Sequence, residues 1–245
     1  MRQRQELESD VEAALQTVID PELDRSLSEL GFARAVVAPG GDVTIELRLP
    51  TYWCAPNFVF LMAQDARDAV EAVPGVRSVR IELPDHFATE EITGGLARRR
   101  SFDQAFPKLS DGSGLHPLRR MFWAKGFMVW QERLARRLLA AGRSVGELAT
   151  MRLGEVDHRD PDLPGYLARR ARLSISTAPT APLVVYPNGQ PVDRARLMSY
   201  LDRCRLVAVS LSANAELCQS LHATRFAPPP PTEIARTNVT TEAKP

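Results

Sequence analysis

The sequence predicts an α/β (α+β) protein: a small N-terminal α-β-β-α-β domain with a three-stranded sheet, then a mainly helical C-terminal region and a disordered tail. Three observations predict it. Val43, Ile45, Leu47 and Leu49 alternate without a break against Thr44, Glu46 and Arg48, the period of a half-buried strand. Helical stripes flank that strand, with Leu7, Val11, Ala14, Leu15 and Val18 before it and Phe58, Met62, Ala66, Ala69 and Val73 after it. Past the first third, most of the apolar spacing is helical.

Each element has a local cause. The first helix stops before Asp20-Pro21, because proline restricts the residue ahead of it. Ser26–Leu30 reads as a short helical turn ended by Gly31. Phe32–Val37 reads as a strand, joined to the alternating strand by the turn Pro39-Gly40-Gly41-Asp42. Pro50 ends that strand, and Pro56 falls at the first position of the next helix, where a missing N–H is tolerated. Pro74-Gly75 stops this helix. Val76–Leu83 is then a last strand, with Val79, Ile81 and Leu83 inward. Two amphipathic helices on one face of the sheet complete a domain of residues 1–86.

A connecting segment, residues 87–114, combines loop, a short helix and the linker Lys108–Gly114. The mainly helical extension covers 115–226. In it, Pro117–Ala141 is a long helix stopped by Gly142, Ser144–Met151 makes one or two turns, and Pro164–Leu173 is a helix. Leu183–Tyr186 reads as a short strand before a Pro187-Asn188-Gly189 turn. Two more helices follow, Val192–Val207 and Ala213–Thr224, the second with Ser210 or Ser212 as cap. The tail, 227–245, opens on Pro228–Pro231 and has the composition of a disordered segment.

The net charge of +1 hides an asymmetry: residues 1–86 hold eight Lys/Arg against 15 Asp/Glu, and the remainder is basic. Two such regions suit each other or different partners. The arginines of the basic part are dispersed among acids and apolar positions, without a nucleic-acid motif, so a nucleic-acid partner is not expected. No apolar run reaches membrane-spanning length and the N-terminus lacks a signal-peptide pattern, which predicts a cytoplasmic protein with no membrane partner. Cys54, Cys204 and Cys218 form no CxxC pair and no disulfide framework, so reduced thiols are expected.

The segment Leu-Pro-Thr-Tyr-Trp-Cys-Ala-Pro-Asn, Leu49–Asn57, carries the chemistry. It places Cys54 between a strand and a helix start, beside the positive end of a helix dipole and free backbone N–H groups, a setting that favours a thiolate. The competing reading is a small hydrophobe packed under Tyr52 and Trp53. Asp20 and Glu22 reach the same edge or simply mark an Asp-Pro helix stop. Thr51 bonds the sulfur or caps the next helix. His86 is a further candidate ligand or a lone exposed histidine. Cys204 and Cys218 fall in helical apolar patterns and read as structural. Glu155-Val156-Asp157-His158 has one Glu-x-x-His spacing, but a di-iron site needs a second, and Gly154 and Pro161 point to a turn. The Met121-Phe122-Trp123 and Phe127–Trp130 clusters read as core.

Residues 11–86 resemble the iron–sulfur cluster assembly domain family that includes SufT and the PaaD-like proteins. The resemblance rests on Val18-Ile19-Asp20-Pro21-Glu22-Leu23, Glu29-Leu30-Gly31, the hairpin, Thr51 with Cys54, and Pro74-Gly75-Val76 with Val79. Where that family usually has Pro-Gly-Cys, this chain has Tyr52-Trp53-Cys54. The long C-terminal extension looks like the versions encoded beside bacterial multicomponent di-iron monooxygenases. The resemblance implies an accessory, non-enzymatic role in maturing iron–sulfur or iron-containing proteins. Cys54 would be the transient ligand of iron or a cluster, supported by Asp20, Glu22 and Thr51. The implied partners are cluster-assembly machinery, an apo-metalloprotein client such as a monooxygenase component, and a second copy of the chain in a homodimer. A different class of function, a folding chaperone or assembly subunit for an oxygenase, would leave Cys54 dispensable.

Overall fold

The computed structural model describes residues 2–227. It has the α+β arrangement the sequence predicts. Helix α1 (Arg2–Gln16) leads into two short strands, β1 (Ile19–Asp20) and β2 (Arg25–Ser26), which pair antiparallel. The main sheet holds β3 (Ala33–Val37), β4 (Asp42–Leu47) and β5 (Ser78–Glu82) in the order β3-β4-β5. β3 and β4 form an antiparallel hairpin, with Ala35 opposite Ile45. Helix α2 (Pro56–Glu71) carries the chain across so that β5 lies parallel to β4, Val43 beside Val79 and Ile45 beside Ile81.

The alternation in β4 appears directly in its burial: Val43, Ile45 and Leu47 are buried and Asp42, Thr44 and Glu46 are not. Their inner face meets Val11 and Leu15 of α1 and Val59, Phe60, Ala63, Ala66 and Val70 of α2 in one apolar core. The Gly-Gly turn closes tightly. Gly40 and Gly41 both have positive φ, and a Cβ on Gly41 would lie 2.3 Å from the Gly75 carbonyl oxygen.

Two helices after the sheet, α3 (Thr89–Ala97) and α4 (Phe102–Ala105), pack onto this same core through Ile92, Leu96, Phe102 and Phe106. Helices α5 (His116–Ala140), α6 (Val145–Thr150), α7 (Leu163–Arg172) and α8 (Leu197–Arg225) enclose a second core around Phe127, Leu134, Tyr166, Leu183, Val185 and Leu201. α6 begins with a capping box, Ser144 and Glu147 each bonding the other's backbone N–H. Phe122 and Phe127 are core, whereas Met121 is exposed and Trp123 and Trp130 are half-buried.

Several local expectations are corrected. The first helix ends at Gln16, so Val18 belongs to the link into β1. Ser26–Leu30 is a bridge followed by turns, because β2 pairs Arg25 with Asp20. Leu183–Tyr186 makes a single antiparallel bridge, Val185 with Pro191, and no strand ladder. Instead the buried side chain of Gln131 accepts from the Val185 N–H at 2.9 Å and donates to its carbonyl at 3.0 Å. One amide thus mimics a neighbouring strand. The two C-terminal helices are one continuous α8, since no glycine or proline interrupts 197–225, and Ser210 and Ser212 cap nothing. The expected disordered tail lies outside the described residues apart from Ala227. No helix among the described residues is long and apolar enough to cross a membrane.

Candidate functional site

Cys54 stands where the sheet gives way to α2. Leu49 and Pro50 end the run out of β4, a turn exposes Tyr52 and Trp53, and α2 opens at Pro56 with Ala55 as N-cap. Ala55 offers no side-chain cap to this 16-residue helix, Pro56 has no N–H, and the Phe58 and Val59 N–H groups bond the Ala55 carbonyl, so it is the positive end of the helix dipole that lies next to the cysteine turn. The thiol is half-buried, and its Sγ lies 3.2 Å from the Thr51 Oγ1. The Thr51 hydroxyl can donate to the sulfur once it has lost its proton, which orients it and spreads its charge. Thr51 therefore bonds the thiol and does not cap the helix.

His86 holds the turn from the other side. Its Nδ1 accepts from the Ala88 N–H at 3.2 Å, so the ring proton is on Nε2, which donates to the Cys54 carbonyl at 2.8 Å. Burial lowers its pKa, against the bond to the Cys54 carbonyl and with the Arg225 charge. Both nitrogens are thus engaged with backbone. His86 is buried, not exposed, and serves as a strut under the loop. Beside it Phe87 and Tyr52 form an aromatic pair with centroids 6.1 Å apart, and the Phe87 N–H bonds the Tyr52 carbonyl. Tyr52, Trp53 and Phe87 are all substantially exposed, Trp53 at 73%, so they crown the thiol rather than cover it.

Asp20 is buried on β1, and its Oδ1 accepts from the N–H groups of Glu22 at 2.8 Å and Leu23 at 3.0 Å. Burial outweighs these bonds and pushes its carboxyl up to about 6. Glu22 is half-buried one turn residue on. Cys218, read from the sequence as structural, lies in α8. The second half of α8 returns to the N-terminal domain, and Cys218 packs against the same apolar core as Cys54. Burial, followed by the charges of Asp20, Glu22 and Cys54, pushes the Cys218 thiol up to about 11. The signal for that return of α8, available in the sequence, was the length of one unbroken helix. Cys204, by contrast, is fully buried in the second core.

The Glu155-x-x-His158 pair is no site: Glu155 bonds the Arg152 N–H and His158 is exposed beside Asp157. No set of three or more His, Cys, Asp and Glu groups among the described residues is arranged to hold a metal ion. A cleft of about 660 Å³ lies elsewhere, between the β1–β2 hairpin and helices α5 and α8, lined by Leu23, Arg25, Trp130 and Glu216 among others. Cys54 sits instead at an open edge, within reach of another macromolecule.

A three-stranded sheet under two helices, with one thiol at a helix start, makes up the small α+β domain of the first third. Residues 8–83 match the family described as iron–sulfur cluster assembly protein. An uncharacterised protein of Methanocaldococcus jannaschii is 33% identical over 84 residues, covering 34% of this chain and 86% of that protein. Through this domain the chain belongs to the iron–sulfur cluster assembly protein family. Two relatives named iron–sulfur cluster carrier protein also match. The one from Mycobacterium leprae is 34% identical over 83 residues, and the one from Synechocystis is 41% identical over 69. These regions cover 34% and 28% of this chain, and the chain spans only 21% and 19% of those proteins. No solved structure matches the chain.

Proposed function

We propose that this chain is an accessory factor of iron–sulfur cluster assembly, holding iron or a cluster as cargo on Cys54 and passing it to an apo-protein. The observation that carries this is the half-buried Cys54 thiol, 3.2 Å from the Thr51 hydroxyl at the uncapped start of α2. Sulfur is a soft donor suited to iron–sulfur cargo, and an accessible edge suits release. Cargo is the substrate here, and the chain's part is to bind, orient and release it, not to turn over a metabolite. One thiol leaves most cluster positions open, so assembly machinery, a client, or a second chain with its own Cys54 would complete them. The helical extension is the natural place for client recognition. The resemblance in the extension points to a component of a di-iron monooxygenase as client, in the cytoplasm.

The test is anaerobic reconstitution of wild type and Cys54→Ala with ferrous iron and sulfide. Bound iron and its transfer to an apo-ferredoxin are then measured. Wild type should bind and transfer, and Cys54→Ala should retain its circular dichroism spectrum while losing both. Equal iron in the two proteins would overturn this reading. A second reading, an assembly subunit with a dispensable cysteine, draws on the exposed ridge of Tyr52, Trp53 and Phe87. It expects the Cys54 variant to support client assembly while a Trp53→Ala, Phe87→Ala protein does not.

A further inference from the structure

We propose that α8 is also a dimerisation surface: its outward apolar stripe pairs antiparallel with the same stripe of a second copy, so that Arg205 of each chain meets Glu216 of the other. The proposal is independent of the cargo reading, because it rests wholly on the helical extension, outside residues 8–83.

The stripe comes first. One side of α8 serves the fold, with Leu197, Leu201, Cys204, Leu211 and Ala215 buried. At about 100° per residue, Leu206, Val209, Ala213, Leu217 and Leu221 fall on the opposite side, within about 120° of one another. All five are exposed, the four large ones by 41–72%. They follow one another at three and then four residues, the spacing of a helix that packs against another helix. The run is about 22 Å long, and no charged side chain falls within it. Among the described residues no other helix exposes more than one large apolar side chain.

The occupant follows from the flank. Arg205 and Glu216 lie on the same side of the stripe, about 20° apart around the helix. Both are exposed. Among the described residues Arg205 has no ionic partner, and Glu216 accepts only from the Ser212 hydroxyl, at 3.5 Å. A two-fold axis that reverses one helix against the other keeps each flank on its own side. Arg205 then faces Glu216 of the other copy, and the contact repeats by symmetry. The apolar side chains need this same register. With the axis between Ser210 and Leu211, each Leu206 enters the gap between Ala213 and Leu217 of the other copy. Each Ala213 lies between the other copy's Leu206 and Val209, and its small side chain lets the backbones approach. A client's helix has no such reason to set an acid where this chain sets its base.

The pairing also separates the two sites. Arg225, at the end of α8, donates to the Leu49 carbonyl, where the chain enters the Cys54 turn. Residue 225 of one copy lies level with residue 196 of the other in this register. The two Cys54 turns therefore sit at opposite ends of the helix pair, roughly 40 Å apart along it. Each turn works alone.

Sedimentation equilibrium of the full chain across micromolar concentrations tests this. Wild type should show a reversible monomer–dimer equilibrium. Leu217→Glu should weaken it by about a hundredfold with an unchanged circular dichroism spectrum. Arg205→Glu and Glu216→Arg should each weaken it by about tenfold, because like charges then face each other twice. An equimolar mixture of these two variants should recover the wild-type affinity, since every facing pair is again opposite in sign. Such recovery also excludes misfolding of either variant. A wild type that stays monomeric throughout overturns the proposal and leaves the stripe to a client's helix or to residues 228–245. A dimer indifferent to Leu217→Glu, or a mixture no tighter than its single variants, overturns it too. None of these outcomes bears on Cys54.

Discussion

At Asp20 a single carboxyl has been taken out of water to serve the backbone. Its pKa of about 6 exceeds the value near 3.8 it has when exposed, so the native state binds the proton more tightly than the unfolded chain. Asp20 therefore contributes full stability below about pH 4, and this contribution is lost as pH rises through 6. Metal-free protein should lose on the order of 2–3 kcal/mol across that window from this group. Asp20→Asn, whose amide oxygen still accepts from Glu22 and Leu23, should flatten the profile. Urea unfolding at pH 4, 5 and 7 distinguishes the two. Gln131 is the corresponding residue of the second core. It also accepts from the Tyr166 hydroxyl at 2.8 Å and donates to the Tyr200 hydroxyl at 3.1 Å. Gln131→Leu orphans the Val185 amide in a dry interior and should cost about 2–3 kcal/mol, read as a lowered thermal midpoint.

Whole elements were legible where one face is dry and the other wet. β4, α2 and the β3–β4 hairpin follow from Val43–Leu49, Phe58–Val73 and Pro39–Asp42 because burial there obeys a single period. The hairpin prediction can be tested sharply. Gly41→Ala puts a Cβ at positive φ against the Gly75 carbonyl and should destabilise by about 2–4 kcal/mol, whereas Gly112→Ala, with nothing within 4 Å, should pay only for its φ. Legibility failed at α8 for the opposite reason. Leu197, Leu201, Leu211 and Ala215 are buried while Leu206, Val209, Leu217 and Leu221 are exposed, so apolar residues on both faces blur the stripe. The split at Ser210-Ser212 followed from that blur. Of the site, Cys54 and Thr51 were readable from local order. The His86 strut was not, since only the fold brings its ring under the carbonyl of a residue 32 positions back.

At the scale of the molecule, an aspartate in a left-handed turn is one clasp between the first third and the extension. Asp24, at φ 51°, accepts from the Trp130 indole N–H at 3.0 Å and from Arg169 at 3.1 Å. It also fills the notch left by Gly126, where a Cβ would sit 2.7 Å from its carboxylate. Trp130 in turn lies on Gly165 and between the guanidinium groups of Arg133 and Arg169. The acidic first third and the basic remainder meet here, as their opposite charges suggest. Asp24→Ala removes a carboxylate from a pair only 13% and 11% exposed and should cost about 3 kcal/mol. Its sharper signature is cooperativity: denaturation of wild type should show one transition, and that of Asp24→Ala two. A single unshifted transition would deny the clasp this role.

Trp53 and Trp130 also make the protein its own optical instrument. Trp53 stands in water beside Cys54, where iron held as proposed would quench emission, and Trp130 is pinned in the clasp. A Trp53→Phe, Trp123→Phe chain would glow only from the joint between the halves, and a Trp123→Phe, Trp130→Phe chain only from the loading edge. Followed in parallel, they would time whether cargo arrives before the halves move or after.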